Sequence, residues 1–194
     1  MTILLALSRA IEKRDPYAAG HAARVTELAD AIAARLGWDE ERRYVLGLGA
    51  TLHDVGKLAV PEEVLCKPGP LSLVERLAMQ RHPRAGAALV WRVAVLRAAV
   101  PGVLFHHERW DGCGYPAGRA GTKIPAAARV LAVADAFDAM TSDRLYRAAV
   151  RTDDALEEIV RCAGSQFDPD VAHAFLDVWD AGASIRAPAF AAAS

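Results

Sequence analysis

Cysteine is scarce in this chain of 194 residues: Cys66, Cys113 and Cys162 stand far apart, with no Cys-x-x-Cys pair. An odd count without close spacing argues against a disulfide framework and a thiolate metal knuckle, and it fits a reducing compartment, the cytoplasm. Long apolar runs are also missing. The opening MTILLALS is too short to span a bilayer, has no basic n-region, and soon meets Glu12, Lys13, Arg14 and Asp15. It reads as an amphipathic helix, and no later segment reaches spanning length without charges, so no membrane partner is expected. Charge of one sign is absent too. A net charge of −1 argues against a binder of DNA or RNA polymers and against an acidic disordered chain. Alternating strand patterns, internal repeats and linkers do not occur.

What remains is helical periodicity almost throughout. With 53% apolar residues the chain can bury a sizeable core, and one all-α domain is expected over residues 1–181, with residues 182–194 as an Ala-rich tail. Asp15-Pro16 reads as cap and first turn of a helix that runs to Gly37, with Val25, Leu28, Ala29 and Ile32 on one face. Asp39 caps the next, which ends at LHDVGK. Ser72 and Glu75 form a capping box, and Pro83 reads as a break after His82. Helices are expected over 84–99 and 101–108, then a glycine-rich loop over 109–124. Pro125 opens the helix through AFDAM, Thr152 or Asp153 caps another, and Asp168-Pro169 opens the last, through Trp179.

The chemistry lies in the histidines. LHDVGK, residues 52–57, ends an apolar helix on His53, Asp54 and Lys57. Taken alone it also fits a helix end where His53 and Lys57 favour the dipole. His21 sits among small residues, which leave room for a ligand or another element. His82 precedes a proline, and His106-His107 form a doublet after an apolar segment. Asp135 lies in an apolar helix with Asp138 three residues on, on the same face, and buried carboxylates need partners. His173, in the last helix, reads as structural.

Each of these residues has an ordinary reading by itself; together they point to metal. Imidazole and carboxylate without thiolate suit Fe, Mn, Zn, Ni or Co, and about seven donors are too many for one ion. Two divalent ions bring about four positive charges. Asp54, Asp135 and a bridging hydroxide return about three, and the surplus calls for an anion. Such a pair of ions, roughly 3.5–4 Å apart, suits phosphate-ester hydrolysis.

These residues lie in RDPYAAGH, LHDVGKL, KPGPLSLVE, RHP, HHERWDGCGYP, VLAVADAFDAMTSDRLYR and GSQFDP. In that order they resemble the HD-GYP family of the HD phosphohydrolase superfamily, over roughly residues 14 to 176. The resemblance implies a metal-dependent phosphodiesterase that hydrolyses cyclic di-GMP to pGpG, and in some members on to GMP, through a metal-bridging hydroxide. Another cyclic dinucleotide, such as the mixed GMP–AMP form, or a binding module without turnover, is the alternative. It implies His21, His53, Asp54 and Asp135 around one metal, with Asp54 bridging to a second held by His82, His106 and His107. Lys57 would contact a phosphate oxygen, Arg144 and Arg147 would bind phosphates with the arginine fork, and Tyr115 would touch substrate or loop. Iron is the leading metal, manganese next. Some members carry a Glu four residues before the first His and bind three ions; Tyr17 stands there in this chain, so two are expected. Glu108 and Asp111 are expected to fix the loop or orient the histidines, and signalling proteins or a second copy of the chain are candidate partners.

Overall fold

The computed structural model describes residue 14, residues 19–143 and residues 148–182. Among the described residues the elements are helical: α1 (His21–Arg35), α2 (Glu40–Leu52), α3 (Glu62–Leu65), α4 (Leu73–Met79), α5 (His82–Trp91), α6 (Val100–Phe105), α7 (Ala126–Thr141), α8 (Thr152–Cys162) and α9 (Pro169–Asp180). Short 3-10 turns lie over Val55–Ala59, Ala94–Ala99 and Gly121–Lys123. Among the described residues the one β-type contact is an isolated bridge between Ala163 and Phe167. No described helix is long and apolar enough to cross a membrane.

Local chemistry accounts for most boundaries. Asp39 accepts from the Arg42 N–H, and Ser72 with Glu75 closes the expected capping box. Asp168 accepts from the Asp170 N–H, with Pro169 in the first turn of α9. Several expectations shift. Pro83 opens α5 instead of interrupting a helix, because a first-turn proline lacks an N–H that would go unbonded there anyway. The helix expected over 84–99 stops at Trp91: Val93 is extended, and a 3-10 turn carries the chain into α6. α6 itself ends at Phe105, before the His doublet. Arg151, not Thr152 or Asp153, is the N-cap of α8; Asp153 and Asp154 lie in its first turn, where they favour the dipole. The opening expected at Asp15-Pro16 lies outside the described residues.

Two apolar clusters hold the helices. The larger joins Val25, Leu28 and Ile32 of α1, Leu46 of α2, Leu131 and Phe137 of α7, Ile159 of α8 and Phe175 of α9. The smaller joins Leu52, Val55, Val90, Leu96 and Val103. α1 packs on α2, α7 and α9, while α5 packs on the Val55–Ala59 turn and on α6. The end of α2 therefore sits where the two clusters meet: Leu52 belongs to the smaller, and His53 comes directly after it. His173 is exposed on α9.

Candidate metal centre

Four helix ends and one helix middle converge on one place. His21 begins α1, His53 and Asp54 directly follow α2, His82 begins α5, His106 and His107 directly follow α6, and Asp135 lies within α7. His21, His53, His82 and His106 are buried. Their donor atoms fall into two groups, each with ligand atoms within 4.8 Å of one another: His21, His53 and Asp54, and His82, His106 and His107. Asp135 adjoins the first group, its Oδ1 lying 3.4 Å from His21 Nε2 and 3.9 Å from His53 Nε2. Asp54 stands between the groups. Its Oδ2 is 3.5 Å from His53 Nε2 and 3.8 Å from His21 Nε2, and its Oδ1 is 3.3 Å from His82 Nε2.

The histidine tautomers decide what this arrangement can hold. His53, His82 and His106 each donate Nδ1–H to the carbonyl three residues back, on Ala50, Met79 and Val103, at 2.7, 2.8 and 2.9 Å. With the proton on Nδ1, each Nε2 is a bare lone pair. Yet His82 Nε2 faces His106 Nε2 at 3.3 Å, and His53 Nε2 faces His21 Nε2 at 3.1 Å. Two lone pairs at that distance repel unless a cation sits beside them. Protons do not fill that role at His82, His106 and His107. Burial, aided by neighbouring imidazoles, pushes His106 down to about 3 and holds His82 and His107 below the usual range. Neutral imidazoles anchored through Nδ1 are the form that binds transition metals. The donor set therefore fits metal in both groups.

The carboxylates stay charged. Burial opposes the negative charge on Asp54, but Lys57 and three imidazoles hold its carboxyl well below the ordinary value; Lys57 Nζ is 2.6 Å from Oδ2. Burial likewise opposes charge on Asp135, and His53 and His21 outweigh it. At His21 burial works against protonation, but the bond to Asp138 and the charges of Asp135 and Asp54 raise its pKa.

Glycines let the helix ends meet. A Cβ on Gly56, just after HD, would lie 1.8 Å from the His82 carbonyl oxygen and 2.5 Å from the Gly86 nitrogen. A Cβ on Gly114 would lie 2.4 Å from the Arg109 nitrogen and 2.6 Å from the His107 carbonyl oxygen. The loop thus folds back on the His doublet. Tyr115 donates its N–H to the His107 carbonyl at 3.1 Å, and its ring stacks on His107 with centroids 4.8 Å apart. Glu108 accepts from the Ala117 and Arg119 N–H groups at 2.7 and 3.0 Å, so it fixes the loop. Asp111 pairs with Arg109 and accepts from the Cys113 N–H, a similar task. Neither bonds a histidine.

Two features of the site were not anticipated from sequence: the contact that needs Gly56, and Arg24, which pairs with Asp138 beneath His21. Arg24 lies three residues after His21 and so shares its helix face, which was the available signal. Arg144, Arg147 and Tyr17 lie outside the described residues.

The profile of the HD domain matches residues 6–171. A relative from Xanthomonas campestris pv. campestris, named as the cyclic di-GMP phosphodiesterase response regulator RpfG, is 42% identical over 174 residues, covering 88% of this chain and 46% of the relative. A Vibrio cholerae protein named as a cyclic di-GMP phosphodiesterase is 38% identical over 95% of this chain and 40% of its own length. Among solved structures, a cyclic GMP-AMP specific phosphodiesterase of V. cholerae superposes with a TM-score of 0.71 at 20% identity, over 96% of this chain and 50% of that one. The chain spans less than half the length of these two curated relatives. With the helical architecture, the HD pair at the end of α2 and the GYP loop behind the His doublet, the chain belongs to the HD-domain family, in its HD-GYP branch.

Proposed function

We propose that this chain is a single HD-GYP domain, with its core over about residues 14–176, that hydrolyses cyclic di-GMP to pGpG as a metal-dependent phosphodiesterase, with GMP as the alternative end product. The observation that carries this is the position of Asp54, one carboxylate oxygen toward each of two groups of bare imidazole nitrogens. His21, His53, Asp54 and Asp135 would hold one ion, His82, His106 and His107 with Asp54 a second, iron first among the candidates and manganese next. Two such ions would supply positive charge against a phosphodiester and a water of lowered pKa.

The rest of the work falls to side chains of this chain. The carbonyls of Ala50, Met79 and Val103 fix the direction of three imidazoles, so the donors are set before any ion arrives. Lys57, one turn from Asp54 and on the same face, would donate to a phosphate oxygen and offset charge on the departing one. Tyr115, stacked on His107, would meet the substrate from the loop side. Arg144 and Arg147 would take phosphate oxygens, a role supported by their spacing and by the family resemblance.

Anaerobic loading with iron or manganese, metal analysis and turnover of cyclic di-GMP on one sample test the reading. Two ions per chain and turnover that D54A abolishes, together with metal loading, are expected; turnover that survives D54A would refute the metal chemistry. A second substrate has support in the V. cholerae structure named for cyclic GMP-AMP. Faster turnover of that dinucleotide in the same assay would move the assignment to it.

A further inference from the structure

We infer that Asp138, locked by Arg24, is a positioning residue that fixes the His21 imidazole and so sets the affinity of one metal position and not the other. The inference rests on the two-ion reading above. The anchor of His21 differs from those of His53, His82 and His106. Those three each donate to the backbone carbonyl three residues back in the chain. His21 Nδ1 instead donates across to a side chain on another helix, Asp138 Oδ2 of α7, at 2.7 Å. The two nitrogens of the His21 ring thus face two carboxylates one turn apart on the same helix, Asp138 at Nδ1 and Asp135 at Nε2, the latter at 3.4 Å. A flipped ring would present carbon to Asp138.

Asp138 is itself held fast. Arg24 Nε donates to its Oδ1 and Arg24 NH2 to its Oδ2 at 3.0 Å. The same guanidinium reaches the Ser142 hydroxyl at 3.2 Å and the Ala19 carbonyl at 2.9 Å, tying the end of α7 to the turn before His21. With both oxygens engaged and the residue buried, Asp138 has no place for a metal; it acts through His21. A carboxylate also withdraws the Nδ1 proton more strongly than a carbonyl does, which makes Nε2 a better donor.

Titration of metal-free wild type, D138N and R24K with Co(II) against a competing chelator, followed by visible absorption, reads each position. Asn keeps the size of Asp but loses its charge and one acceptor, so its NH2 group must face a donor, either Arg24 Nε–H or the His21 Nδ1–H. Wild type is expected to bind two ions. In D138N one ion should bind as in wild type and the other about 10–100-fold more weakly, with a changed Co(II) spectrum for that ion. R24K, which keeps the charge and loses the fork, should weaken the same ion by a smaller factor; it serves if D138N does not fold. Both ions weakened equally, or neither, would overturn the inference, because a merely structural ion pair acts on the fold and not on one position. A wild type that binds fewer than two ions would instead overturn the two-ion reading.

Discussion

Gly56→Ala is the sharpest test of how the site is assembled. Gly56 is not in the left-handed region, so alanine can adopt its backbone and the whole effect is steric. The added Cβ would sit 1.8 Å from the His82 carbonyl oxygen and 2.5 Å from the Gly86 nitrogen, both backbone atoms of α5, where no side chain can swing away. A carbon–oxygen contact needs at least about 3.2 Å, so the start of α5 must retreat from the HD turn by roughly 1.4 Å. His82 travels with its own carbonyl, while Asp54 lies two residues from Gly56. Their separation, 3.3 Å between Asp54 Oδ1 and His82 Nε2, would open by about as much. Overpacking costs about 1–3 kcal/mol, here toward the upper figure, less the roughly 0.4–1 kcal/mol that alanine returns through the unfolded chain. A misplacement of about 1 Å costs on the order of 100-fold in rate.

The assays are urea denaturation of the metal-free protein, metal content after loading, and turnover. Gly47→Ala is the matched control: its Cβ would meet only the Thr26 methyl at 3.8 Å, an ordinary contact, and inside α2 alanine should stabilise by about 0.5–1 kcal/mol. G56A should lose about 2 kcal/mol, hold the second ion weakly and fall about 100-fold in turnover. Stability within about 0.5 kcal/mol of wild type together with two tightly held ions would refute the argument that this glycine lets the two halves of the site touch.

Gly114→Ala should push the loop off the His doublet, since its Cβ has backbone neighbours at 2.4 and 2.6 Å. Turnover should fall about 10–100-fold while the ion at His21 and His53 keeps its affinity, and unchanged kinetics would show that Tyr115 need not lie against His107. The metal-free protein should lose stability as pH falls below about 6.5. Unfolded histidines take up protons there, whereas His82 and His107 are held low and His106 titrates only near about 3. Each such proton is worth about 1.4 kcal/mol per pH unit. His21 works in the opposite sense: its raised pKa gives stability that is present below about 6.5 and is lost as pH rises through the folded value. Below about 6.5 His21 is protonated in both states and adds no slope, so the three low histidines leave a net loss approaching about 4 kcal/mol per unit on acidification, while between about 6.5 and 7.5 His21 opposes it; urea denaturation of chelator-treated protein from pH 7.5 to 5.5 reads the profile, and a flat one would refute it.

Helix identity and donor identity were legible for the same physical reason. Both are written in short-range pattern: Val25, Leu28 and Ile32 repeat at helical spacing, Asp39, Ser72 and Asp168 cap the helices they precede, and imidazoles in apolar surroundings need a partner wherever they fall. The features that escaped the sequence depend on contacts between segments far apart in the chain. Gly56 looks like an ordinary helix stop until the start of α5 is seen against it. Pro83 looks like a break because a proline opening a helix and one ending it read alike without the neighbouring turn. Asp138 reads in sequence as a buried carboxylate that shares a face with Asp135 and needs a partner; only Arg24 beneath it and His21 beside it show which partners engage its oxygens. A helix face tells which donors travel together. The partner on the other side of each donor decides which of them are left to bind.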